Sequence, residues 1–170
     1  NSIGDISAVN IDDGELLWLT PTHNTKVTGQ SFFTKSSVLV ANKNSIFLSN
    51  DKNEFFSLDF KSGIVNWQHK INSILTPTIV NDLIFTVTME GFLVVIDSRQ
   101  GNIIRKTDTF KQFKNKNRLK IKPIGFIMGS KNIYLTTNHG RLLVIDVSSG
   151  KTISMLKIDN EKISRPFVLN

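Results

Sequence analysis

Cysteine is absent from the 170 residues, which removes disulfides and thiolate metal sites and leaves the redox compartment unread. Long apolar runs are missing too. The longest, such as Ile124 to Met128 around one glycine, fall far short of the roughly 20 residues of a membrane-crossing helix, so no transmembrane helix is expected. No segment carries an apolar stripe at helical spacing over ten or more residues, which argues against the helical fold classes. The chain opens on Asn1 with neither an initiator Met nor a signal-like start, and so has the look of an excised or processed piece. His23, His69 and His139 are isolated, with no helical i,i+4 pair to ligate a metal, and neither a nucleophile elbow nor a phosphate loop occurs. The remaining composition, 39% hydrophobic and 21% charged, is that of an ordinary globular protein.

What is present is a repeat. A Gly or Asn, an Asp or Asn six residues on and a Gly four further recur at Gly4/Asn10/Gly14, Asn53/Asp59/Gly63, Gly91/Asp97/Gly101 and Gly140/Asp146/Gly150. Seven of the ten glycines fall on these marks, at unit intervals of 49, 38 and 49 residues. Apolar stretches of strand length lie between the marks, as at Phe92 to Ile96 and Leu142 to Ile145. The frame therefore predicts strand, tight turn, strand: the Asp accepts backbone N–H groups just ahead of it, and the Gly takes the positive φ that a side chain resists. Asn10 and Asn53 keep that chemistry, since Asn caps a turn and tolerates left-handed backbone.

The units predict short strands in fours: Ser37–Ala41, Ser45–Leu48, Glu54–Leu58 and Ile64–Gln68; then Thr76–Val80, Leu83–Thr88, Phe92–Ile96 and Asn102–Lys106; then Ile124–Met128, Asn132–Thr136, Arg141–Ile145 and Thr152–Leu156. A closing pair, Asp5–Val9 and Glu15–Leu19, precedes them; a polar linker spans Pro21–Gln30, and an opening strand follows from Ser164. Pro77, Pro123 and Pro166 stand at unit entries, where a missing N–H is tolerated. The fold class is all-β, a partial β-propeller of four-stranded antiparallel blades, with units at about 1–20 (partial), 31–69, 75–107, 121–157 and 163–170 (partial). A β-sandwich predicts no common frame. Uncovered blade faces call for completion by further chain, a second copy or closure of the two ends, so self-association through open edges is one expectation.

Gly14-Glu-Leu-Leu-Trp18 and Gly63-Ile-Val-Asn-Trp67 resemble the repeat of the quinoprotein-like, PQQ-type propellers, and the resemblance covers nearly the whole chain. It departs at the last mark, where Arg105 and Ser154 stand for Trp, so looser packing is expected of those units. The stretches from Leu75 and from Gly150, with Ser164-Arg-Pro-Phe-Val168, look most like later blades of the propeller lipoproteins of outer-membrane β-barrel assembly. That resemblance implies a periplasmic, outer-membrane-associated, non-catalytic scaffold whose partner is a protein, the core subunit of the barrel-assembly machinery among the candidates. The alternatives are a fragment of a pyrroloquinoline-quinone dehydrogenase and a ligand-sensing ectodomain.

Enzymes of the repeat family bind pyrroloquinoline quinone with calcium and an Asp base. Asp12, Asp13, Asp59, Asp97 and Asp146 could supply oxygens, but the frame positions are explained as turn caps, and no catalytic, cofactor or metal residue is assigned. Trp18 and Trp67 share one frame position and read as packing. One feature falls outside the repeat: eight basic residues from Arg105 to Lys122 against Asp108 account for the whole net charge of +7. Lys111, Lys114, Lys116, Arg118, Lys120 and Lys122 are the candidate partner-binding residues, on a long connection that also carries Phe110, Phe113 and Leu119. Such a strip suits an acidic protein or anionic lipid; nucleic acid is least favoured, for want of a recognition fold.

Overall fold

The computed structural model describes residues 4–22 and 34–167. Its strands pair only with sequence neighbours, antiparallel throughout, which is the signature of a meander. The chain divides into two compact units, residues 1–74 and 75–170.

In the first unit, β1 (Asp5–Val9) pairs with β2 (Leu16–Pro21). A four-stranded blade follows in the order β3 (Val40–Ala41), β4 (Ser45–Ser49), β5 (Phe55–Asp59), β6 (Val65–His69). Strand β3 is shorter than the expected Ser37–Ala41 for a visible reason. The Ser49 N–H donates to the Ser37 hydroxyl at 3.0 Å, a side-chain bond in place of a ladder bond. Strand β2 runs on to Pro21, where a linker is expected to begin; Pro21 closes an edge strand, so its missing N–H interrupts nothing. The rest of that linker, His23 included, and the start of the blade at 31–33 lie outside the described residues. Ile6, Leu48, Phe56 and Leu58 form a core against which Trp18 and Ile46 pack.

The second unit holds two blades. One runs β7 (Thr78–Val80), β8 (Leu83–Val87), β9 (Phe92–Asp97), β10 (Ile103–Asp108). A single helical turn, α1 (Asn115–Arg118), follows. The other blade runs β11 (Pro123–Met128), β12 (Asn132–Thr137), β13 (Arg141–Asp146), β14 (Thr152–Lys157). Register explains the core. The cross-strand rows Phe85↔Val95 and Val87↔Leu93 of one sheet, and Leu135↔Leu143 and Ile133↔Ile145 of the other, bring side chains of like direction into one cluster. Val94 and Ile96, on the opposite face of β9, are buried as well. That is why Phe92 to Ile96 reads as a continuous apolar run, whereas the outer strand β10 (Ile-Ile-Arg-Lys-Thr-Asp) is largely exposed.

The fold is thus all-β, built of propeller blades. Residues 164–167, expected to begin a strand, have no strand conformation. Arg165 lies instead against Gly125, where an added β-carbon would come within 2.5 Å of its Cγ. Residues 168–170 lie outside the described residues.

Candidate interaction surface

The turn of the repeat frame has one construction in all four copies. The glycine N–H donates to the carbonyl of the Asp or Asn mark, at 2.9 Å in Gly14→Asn10, Gly63→Asp59 and Gly101→Asp97 and 2.8 Å in Gly150→Asp146. The side chain of the mark then accepts from the turn itself. Asp59 takes the N–H groups of Lys61 and Ser62 at 3.1 and 2.8 Å, Asp97 those of Arg99 and Gln100 at 2.9 and 2.7 Å, and Asn10 that of Asp12 at 3.0 Å. Asp146 receives the Ser149 N–H at 2.7 Å and the hydroxyls of Ser148 and Ser149 at 2.7 and 2.6 Å. At Asp59 and Asp146 such donors favour the ionised carboxylate. The Ser148 and Ser149 hydroxyls hold Asp146 down at about 2, and the Ser62 hydroxyl lowers Asp59 in the same way. The frame carboxylates are engaged within their own turns.

The glycines of the frame all have positive φ, and Asn53 at a Gly mark has φ 68°. The reason for the second glycine is visible at Gly63. An added β-carbon would lie 2.5 Å from Cδ2 of the Trp18 ring, while the Thr20 hydroxyl donates to the Gly63 carbonyl at 2.6 Å. The outer strand of one copy thereby covers the turn of the next. At Gly150 the same place is taken by Arg105 and Thr107. Where Arg105 stands in place of Trp, a different set of contacts reaches the turn. Arg105 donates through Nη2 to the Val147 carbonyl at 2.6 Å and through Nη1 to the Ser148 carbonyl, so directed hydrogen bonds to the turn replace a stacked ring. Within its own blade, Trp67 has Phe55 stacked against it at 5.9 Å and Phe47 at 5.9 Å. His69 lies 5.4 Å from the Trp67 ring, and His139 Nδ1 meets Asn138 Oδ1 at 2.8 Å. Among the described residues no group of three or more acidic or His side chains gathers to hold a metal ion.

The connection from β10 to β11 is the irregular part of the second unit, and it is tied down at both ends. Phe110 is fully buried under Gly91, where a β-carbon would come within 2.6 Å of its ring, and Phe113 meets it edge-on at 5.4 Å. Ile121 is buried in the same cluster. Asn138, in the β12–β13 turn, holds the far end: its Nδ2 donates to the Lys120 carbonyl at 3.0 Å, and its Oδ1 accepts the Lys122 N–H at 2.8 Å. Between these anchors Lys111, Lys114, Lys116, Lys120 and Lys122 are exposed. Arg118 differs from them. Its guanidinium pairs with Asp108 at 2.7 Å and lies over the Phe92 ring, as does the Lys106 ammonium at 4.6 Å.

Comparison with known proteins bears on this arrangement. Residues 1–107 match the family model for the outer membrane protein assembly factor BamB. The chain belongs to the BamB family. A curated BamB from Yersinia pestis is 22% identical over 183 residues, covering 99% of this chain and 43% of its own length. The crystal structure of BamB from Moraxella catarrhalis superposes with a TM-score of 0.51 at 14% identity, over 98% of this chain and 62% of that one. A quinohemoprotein alcohol dehydrogenase from Pseudomonas putida HK5 reaches 0.57 at 12% identity, over 71% of this chain and 20% of that one. At such identities the two structures speak for the propeller fold alone. The chain spans less than half the length of the curated BamB relative.

For a BamB-family chain, then, the connection splits the cations singled out from sequence into two sets. Five lysines, Lys111, Lys114, Lys116, Lys120 and Lys122, stand exposed, whereas Arg118 is engaged with Asp108. Sequence reasoning placed Phe110 and Phe113 among the cations of a loop and missed their anchoring role. The signal was available, because Phe110 follows Gly101 by nine residues, as Asp159 follows Gly150, and Asp159 lies over Gly140 as Phe110 lies over Gly91. Asn138 had no such signal. Its part depends on a turn brought beside the connection by strand pairing.

Proposed function

We propose that this chain serves as a non-catalytic binding scaffold in the periplasm, at the outer membrane, holding a protein partner during assembly of outer-membrane β-barrel proteins. The observation that carries this reading is the family match over residues 1–107. The turn chemistry agrees with it. Asp59, Asp97 and Asp146, the carboxylates that recur with the repeat, direct their oxygens to neighbouring turn N–H groups and hydroxyls. The blades offer two means of holding a partner: turns and connections at their ends, and the outer edge of β14, whose backbone can take an added strand.

The test is affinity purification of the tagged protein from cross-linked envelopes, with both the whole protein and this chain as bait. Recovery of the core subunit of the barrel-assembly machinery is the expected result. Failure to recover it with either bait would overturn the reading, as would dye-linked alcohol oxidation on addition of pyrroloquinoline quinone and calcium.

A further inference from the structure

We propose that the connection from Lys111 to Lys122 is an electrostatic anchor for an anionic lipid surface, with Leu119 as its inserting apolar side chain. The inference rests on the geometry of the connection and not on the assembly role.

The chain's net charge of +7 is concentrated between Arg105 and Lys122. Arg105 is bound to the carbonyls of Val147 and Ser148, Arg118 is paired with Asp108, and Lys106 lies over Phe92. What remains for a partner is five exposed lysines within twelve residues. Buried Phe110 and Ile121 and the Asn138 clamp fix the ends of the segment that carries them. Less ordering therefore remains to be done on binding.

The type of cation selects the partner. Protein interfaces favour Arg and are depleted in Lys, because the planar guanidinium meets carboxylates in a fixed fork and the ammonium does not. Here the one arginine of the segment is turned inward to Asp108, and the outward charges are all lysine. A layer of anionic headgroups is a diffuse field that requires no fixed geometry, and it attracts each lysine near it. Leu119 adds the second element. It is 83% exposed between Arg118 and Lys120, and an apolar side chain beside a basic cluster gains by entering the acyl boundary. Single-stranded nucleic acid is bound by stacking on exposed aromatics. The aromatics of this segment are turned into the core, Phe110 completely.

Sedimentation of the chain with vesicles of phosphatidylcholine containing phosphatidylglycerol, against vesicles of phosphatidylcholine alone, tests this. Binding is expected to the anionic vesicles only, weakening as salt is raised. Each of Lys111→Gln, Lys114→Gln, Lys116→Gln, Lys120→Gln and Lys122→Gln should lower the partition by about fivefold. Leu119→Ser should lower it further with no change in circular dichroism, since the side chain is exposed. Equal binding to both vesicle types, or no binding at low salt, would overturn the proposal. So would poly-glutamate binding as tightly as the anionic vesicles with no effect of Leu119→Ser, which would assign the lysines to an acidic polypeptide. None of these results depends on recovery of the assembly core subunit.

Discussion

Gly14 and Gly63 occupy the same mark of the repeat with nearly the same φ, 76° and 70°, yet among the described residues nothing stands within 4 Å of a β-carbon at Gly14, while Trp18 covers Gly63. The pair separates backbone strain from packing. Gly14→Ala should cost about 1 kcal/mol, the penalty of left-handed backbone alone. Gly63→Ala should cost roughly 2–4 kcal/mol, because the Trp18 ring must also move. Urea unfolding followed by tryptophan fluorescence measures both. Asp146 gives a second prediction at this scale. Its folded value of about 2 lies below the ordinary 3.8, so the stabilisation it contributes is present above pH 3.8 and is lost as pH falls through about 2. Carbon-13 titration of its carboxyl should show the low midpoint, and Ser148→Ala with Ser149→Ala should raise it toward 3.8. The turns were legible in the sequence because each mark acts within five residues. That Trp18 packs on the next copy was legible from its place in the frame; that it lies over Gly63 in particular was not, since only the packing of one copy on the next brings the two together.

The joints between elements show how a consensus residue is replaced without losing its place. Arg105 bonds to the turn where Trp18 stacks on its own. Arg105→Ala should therefore destabilise the second unit by about 1–3 kcal/mol, two charge-assisted bonds discounted for partial exposure. Arg105→Lys should recover only part of this, because one ammonium does not reproduce the fork. Phe110→Ala should cost about 3–5 kcal/mol, as expected for emptying a large buried site. It should also free the 111–122 segment, seen as faster amide exchange there than in β9. Strand positions were readable to within one to three residues, since alternation and turn residues act locally; β1 and the starts of β12 and β13 fall where the pattern puts them. The short helix α1 was not readable, because one turn of Asn-Lys-Asn-Arg carries no periodicity.

Across the whole chain, both tryptophans lie in the first unit and the single tyrosine, Tyr134, in the second, so each unit carries its own optical probe. Leu143→Ala, in the core of the second unit, should cost about 2–5 kcal/mol. It should lower the unfolding midpoint reported by Tyr134 more than that reported by Trp18 and Trp67, as expected where strands pair only with their neighbours. The repeat made the blades legible because it is periodic; the 111–122 connection was legible as a long basic stretch outside the repeat, and only the fold separates its five outward lysines from its inward arginine. The cover that one copy lays on the next turn also has a direction in time. Trp18 precedes Gly63 by 45 residues, and Arg105 precedes Gly150 by the same 45. As the chain is made from its N-terminus, Trp18 and Arg105 each emerge before the turn they will close over. At these two joints the covering outer strand is therefore made before the turn that it meets.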